Sequence, residues 1–205
     1  TSNGYTGGNT TVTGTLTLTG NWAQANGSTL VLASGTPFGG AGTFSASTSA
    51  NTVNYTGGAA TIKTPDAGTA NTYHHLGLSG TGTKTMTSIT AINGNLTMAG
   101  SAAATPVVTT IGGNLVLTGT STIGDGSAAA FSQGATFNFT SGAVTVNSTA
   151  SWTNTGTGDV TLAGNVVNTG IVTLNSNNGT QCVDGANDIV ITSTAGALNW
   201  SGAGT

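Results

Sequence analysis

The chain of 205 residues carries two lysines, five acidic residues and a formal net charge of −3, with 3% charged residues where ordinary soluble domains have roughly 25%. Two basic side chains cannot neutralise a phosphate backbone or hold an anionic lipid surface, which excludes nucleic acid and charged membranes as partners. Intrinsic disorder is excluded as well, because disordered chains combine low hydrophobicity with high net charge, and 36% of these residues are hydrophobic.

Arg and Glu are absent, and Thr, Val, Gly and Asn recur throughout, a composition that predicts β structure with many corners. No run approaches the ~18 apolar residues of a membrane span, so membrane insertion is not expected. Residues 1–8 do not read as a signal peptide, and the C-terminal end carries no polar cap. The expectation is a removed leader or a segment of something longer. Cys182 is the single cysteine. It is expected either as a small buried thiol or as a partner for a cysteine outside these residues.

In chain order, residues 11–19 alternate Thr with apolar residues and predict one strand with Val12, Leu16 and Leu18 on a single face. Gly20-Asn21 makes a corner before Trp22, and Asn26-Gly27 another before Leu30-Val31-Leu32. Residues 35–42, with Pro37, read as a loop bulging from the stack, and Phe44 and Val53-Asn54-Tyr55 resume strand character. Regularity is lowest over 63–72, where Pro65, Asp66 and Gly68 predict an insertion or bend. His74 and His75, read as neighbours in one strand, should point to opposite faces and hold no shared metal.

Residues 92–117 say nearly the same thing twice. Ile92-Asn-Gly-Asn-Leu96-Thr-Met98 returns one short interval later as Ile111-Gly-Gly-Asn-Leu115-Val-Leu117. The interval from Ile92 to Ile111 suits stacked solenoid coils, and it predicts Leu96 over Leu115 and Met98 over Leu117. Apolar-x-apolar triplets then continue through Phe137-Asn-Phe139, Val144-Thr-Val146, Val160-Thr-Leu162 and Ile189-Val-Ile191. The predicted stacked core is Ile92, Leu96, Met98, Ile111, Leu115, Leu117, Phe137, Phe139, Val160 and Leu162. No helix-length period occurs, which excludes a βαβ fold. The fold class expected is all-β, a single parallel β-helix (β-solenoid) over residues 1–205 with irregular coils. A β-sandwich is the alternative, although it would call for longer strands and steadier hairpins.

The phrases Tyr73-His-His-Leu-Gly-Leu-Ser-Gly-Thr-Gly-Thr-Lys-Thr85, Gly20-Asn-Trp22, Ile92-Asn-Gly-Asn-Leu-Thr-Met98 and Leu198-Asn-Trp-Ser-Gly-Ala-Gly-Thr205 resemble a known type of repeat. They are similar to the low-charge Gly/Thr/Asn-rich repeats of very long secreted bacterial surface proteins, in the style of filamentous-haemagglutinin and autotransporter-passenger β-helices. The resemblance covers most of the chain, rests mainly on composition, and includes no secretion module. It implies an extracellular or cell-surface location and a structural or adhesive role.

Catalysis needs titratable groups brought together, and the sequence scatters them, so no enzyme and no catalytic residue is expected. Asp184 and Asp188 flank the turn at 185–187, where with Asn187 they form a candidate Ca²⁺ cluster or simply cap the turn; no other cofactor is expected. Gly124-Asp125-Gly126 lacks the recurrent calcium-loop pattern and reads as a turn. Thr-x-Thr runs raise an ice-binding surface, which would need a pair of Thr on every coil, whereas the longest runs lie along single strands. Asn-x-Ser/Thr occurs about as often as this composition yields by chance. Trp22, Trp152 and Trp200 are candidate core or subunit-contact anchors. The leading expectation is therefore a structural module of an extracellular fibre or surface layer, self-associating with identical subunits or adjacent repeats. The alternative is an adhesin stalk whose loops at 35–42 and 63–71 recognise a glycan or another cell surface.

Overall fold

The structure, a computed structural model, describes residues 5–100, 107–124, 128–133, 136–154, 158–174, 181–183 and 197–200. All named strands pair in parallel, and they stack as three faces that the chain visits in turn, which makes a parallel β-solenoid. No helix occurs among the described residues.

The long face has eight strands in unbroken order: Thr10–Val12, Thr29–Leu32, Thr52–Tyr55, His75–Gly80, Leu96–Gly100, Ser121–Ile123, Val144–Val146 and Val166–Asn168. A second face runs from Thr72–Tyr73 through Ala91–Ile92, Leu115–Leu117, Phe139–Ser141 and Val160–Leu162 to Gln181–Val183. Three earlier strands, Tyr5–Gly7, Trp22–Gln24 and Phe44–Ser45, lead into it through a bridge between Ala46 and Tyr73. The third face is interrupted. Leu16–Leu18 pairs with Phe38–Gly40, and a separate sheet then begins at Ala60–Thr61 and continues through Thr83–Met86, Val107–Ile111, Ala129–Ser132, Ala150–Asn154 and Ile171–Leu174 to Ala197–Trp200. Coils differ in length: a short one carries the chain from Tyr73 to its partner Ile92, and a long one from Ile171 to its partner Ala197.

The strands are short because a strand of this kind turns only its alternate side chains inward. Stacking supplies the rest of the core. Leu30, Val53, Leu76 and Leu96 lie in one register column of the long face, each at most 1% exposed. Leu115, Phe139 and Val160 form a like column on the second face, and Phe131, Trp152 and Val172 on the third, each at most 2% exposed. Burying one such side chain contributes about 1.5–3 kcal/mol, so each coil is stabilised chiefly by the coils above and below it.

The predicted core residues are all buried except Phe137, which is half-buried ahead of the strand Phe139–Ser141 and packs on the core from the corner. Their register differs from the expectation. Leu96 pairs with Leu76 and Ser121, and Met98 with Leu78 and Ile123, whereas Leu115 faces Phe139 and Leu117 faces Ile92. The local coil thus runs from Ile92 to Leu117, longer than the interval between the two copies of the motif. That interval carries the chain two corners on, one face short of a full coil. Gly-Asn followed by apolar-x-apolar suits more than one corner, so the likeness of the two copies marks a kind of corner and not the coil period.

Three other expectations change. Residues 11–19 form two strands on different faces, divided by a corner at 13–15. Residues 38–40, read as loop, pair with Leu16–Leu18. His74 and His75 straddle a corner, and their rings meet edge to face with centroids 4.4 Å apart. The stretch 62–71 carries no strand and wraps one corner.

Glycine is required where corners stack backbone on backbone. Gly119 donates its N–H to Gly94 O and Gly142 donates to Gly119 O, both at 3.1 Å. A Cβ at either donor would lie 2.3 Å from that carbonyl oxygen.

Candidate functional site: a groove at the break in the third face

Phe38–Gly40 and Ala60–Thr61 occupy successive coils, yet no backbone hydrogen bond joins them. Each pairs on its other side only. Leu16 N–H bonds Pro37 O and Ile62 N–H bonds Thr85 O, and successive residues of a strand aim their peptide groups to alternate sides. Phe38 and Thr61 therefore turn an N–H and a C=O each toward the gap. The coils are closed on both sides of it. A Cβ on Gly35 would lie 3.1 Å from Ala59 O, and Phe44 is bonded to Asp66 through its N–H (2.5 Å, to Oδ1) and its C=O (3.0 Å, from Asp66 N–H). Between these contacts lies a groove of about 520 Å³, lined among others by Thr36, Phe38, Thr61, Lys63, Thr64 and Thr87.

Behind the groove, polar groups are fully paired. Tyr73 O–H donates to Lys63 O, which leaves Tyr55 O–H to donate to Tyr73 Oη at 2.9 Å, while Lys63 N–H donates to Tyr55 Oη at 3.1 Å. Both phenols are buried, and burial drives their pKa values well above the ordinary tyrosine value. Lys63 Nζ bonds Asp66 Oδ2 at 2.8 Å. Burial pushes the Asp66 carboxyl up, but the bonds from Lys63 and Phe44 and the Lys63 charge outweigh it and hold the group below its ordinary value.

Lys84 was not legible as a functional or structural residue. Its neighbour two on, Met86, is buried, and strand alternation puts Lys84 on the same inner side, completely buried. Nζ there donates to Gly57 O (2.9 Å), Gly58 O (2.6 Å) and Thr81 O (3.0 Å), which ties two coils together at a corner. Burial lowers its pKa.

The corner asparagines seen in the sequence extend the ladders past the strand ends. Asn95 Oδ1 accepts Thr120 N–H at 3.1 Å, Asn114 Oδ1 accepts Asn138 N–H at 2.9 Å, and Asn138 Oδ1 accepts Asp159 N–H at 2.9 Å. His75 does the same work one coil before Asn95. Its Nδ1 accepts Asn95 N–H at 2.9 Å, so that nitrogen carries no proton, and burial with the His74 charge lowers the imidazole pKa.

Of the two loops expected to carry recognition, 35–42 and 63–71, only residues 35–38 of the first and 63–64 of the second line this groove, where Thr61 and Ile62 of the preceding segment complete the second wall. Other candidates are dispersed. Trp152 is completely buried and Trp22 is 8% exposed, with Nε1 donating to Gln24 Oε1 at 3.2 Å, so both are core residues. Trp200 pairs through its backbone with Leu174, and its side chain lies outside the described part. Asp184, Asn187, Asp188, Asp125 and residues 189–191 lie outside the described residues. No group of three or more metal-ligating His, Cys, Asp or Glu side chains occurs among the described residues.

On the third face Thr61, Thr85, Thr110, Ser132, Thr153 and Thr173 share one register column, a hydroxyl on six successive coils before Asn199 ends the column. The column beside it reads Thr83, Val108, Ala130, Ser151 and Ile171, so the paired rank of an ice-binding surface is not completed. Comparisons with protein-family models, with curated proteins and with solved structures find no match.

Proposed function

We propose that the chain is a rigid segment of an extracellular structural protein, part of a cell-surface fibre or layer that associates with identical subunits or adjacent repeats and performs no catalysis. The observation that carries this reading is the eight-strand long face, stacked coil on coil over one core and turned outward through neutral side chains such as Thr97, Thr122 and Thr145. A surface with so little charge gains little from ion pairing, so its lateral contacts should be nearly indifferent to salt. Electron microscopy of the purified chain at neutral pH tests the reading. Ordered polymers at both low and high salt support it; particles that stay single at every concentration refute it.

The groove favours a second reading, an adhesin stalk carrying a recognition site on its side. Single rods that bind a glycan array without polymerising would favour that reading over the first.

A further inference from the structure

We propose that the groove between Phe38–Gly40 and Ala60–Thr61 is a binding site for a neutral saccharide of one or two pyranose rings. The inference rests on the adhesin reading of this groove and names its ligand; it does not depend on the fibre reading, which concerns the faces and not this gap. Its volume, about 520 Å³, lies within the range of about 300–1,000 Å³ typical of small-molecule sites.

Three observations select the ligand class. The walls present fixed, uncharged donors and acceptors, the N–H and C=O of Phe38 and of Thr61, which the neighbouring strands leave unpaired across the gap. Sugar hydroxyls both donate and accept, and so can satisfy both kinds at once. The lining adds Thr61, Thr64 and Thr87 beside the half-buried Phe38, whose ring packs inward on Phe44 and Tyr55 (centroids 4.9 and 6.4 Å away) and leaves only its exposed part for the C–H face of a pyranose. Finally, the cation at the rim, Lys63, is neutralised by Asp66 at 2.8 Å, so the groove offers no net charge to attract an anion.

A peptide strand would satisfy the same backbone groups, and geometry decides against it. An added strand must run through the gap and out at both ends, extended alongside its neighbours at about 3.3 Å per residue. Here the coils close on each other at Gly35 with Ala59 and again at Phe44 with Asp66. A ligand must enter from the side and end inside, as a compact ring does.

The test is amide NMR of the ¹⁵N-labelled chain with lactose, cellobiose and maltose as separate probes at millimolar concentration. At least one sugar should shift the amides of Phe38 and Thr61 and slow their hydrogen exchange, leaving the long face unchanged. Thr61→Trp, at an exposed position on the groove wall, should weaken that binding at least about tenfold while core resonances stay in place. The proposal is overturned if none of the three sugars moves those two amides, or if Thr61→Trp binds as well as the parent. It is equally overturned if glucuronate or a Gly/Thr peptide binds there and the neutral sugars do not.

Discussion

Phe139→Ala is the sharpest probe of how the coils hold each other. Phe139 is 1% exposed, pairs in register with Leu115 below and Val160 above, and its ring lies 5.0 Å from Phe131 and 5.7 Å from Trp152. Truncation removes the transfer term of a buried aromatic, about 2 kcal/mol, and leaves a cavity of about 100 Å³, which at ~24 cal/mol per Å³ adds about 2.4 kcal/mol. The expected loss is about 4 kcal/mol. Because each coil buries its interior on its neighbours only, the loss should be local. Hydrogen exchange read by mass spectrometry should show lost protection from Leu115–Leu117 to Val160–Leu162 and little change from Thr10–Val12 to Thr52–Tyr55. Equal loss of protection in every coil, or a change below about 1 kcal/mol, would refute nearest-neighbour stacking as the source of stability.

The buried phenols set the alkaline limit. Their folded pKa values lie above the unfolded value of 10.0, so their contribution is complete below pH 10.0 and falls as pH rises beyond it. Denaturant titrations from pH 9 to 11 should show this fall, and the double variant Tyr55→Phe with Tyr73→Phe should flatten it. His75 acts at the acid side. Its folded pKa is below the unfolded 6.5, so its contribution is present above 6.5 and is lost as pH falls through the folded value. His75→Asn keeps an acceptor for Asn95 N–H and should remove that part of the pH dependence, seen as a smaller shift in thermal midpoint between pH 7.5 and 5. Lys84→Met should cost about 2–3 kcal/mol in chemical unfolding, since it leaves three carbonyls without their donor and only part of that is offset by removing a desolvated charge. Gly119→Ala should cost about 2 kcal/mol or more in the same assay, because its Cβ meets the Gly94 carbonyl oxygen and the corner must shift.

The fold class was legible in particular residues. Val144-Thr-Val146 and Val160-Thr-Leu162 show inward, outward, inward alternation in the structure just as they do in print, and Gly-Asn ahead of Leu96 and Leu115 marks corners in both. Lys84 shows where legibility ended. Alternation with Met86 carried the signal that it points inward, but only the carbonyls of Gly57 and Gly58, a full coil earlier in the chain, make that position tolerable for an ammonium group. The groove was half legible. Pro37 and the irregular stretch from Lys63 mark part of each wall, but Thr61 and Ile62 carry no such signal, and nothing local to either wall states that they face each other across a gap.

By itself the sequence determined that the chain forms short, parallel-stacking β segments with a neutral exterior, because side-chain alternation, corner residues and the lack of charge are local properties of neighbouring residues. The tertiary structure alone decided which segment lies on which. Coil length varies, as between the short step from Tyr5 to Trp22 and the long one from Ala46 to Tyr73, and a corner motif that suits more than one corner cannot say how many corners separate two copies. Register follows instead from the sum of inward packing and ladder hydrogen bonds around a whole coil, and that sum places Leu96 on Leu76 and Leu115 on Phe139 and leaves one gap in the third face.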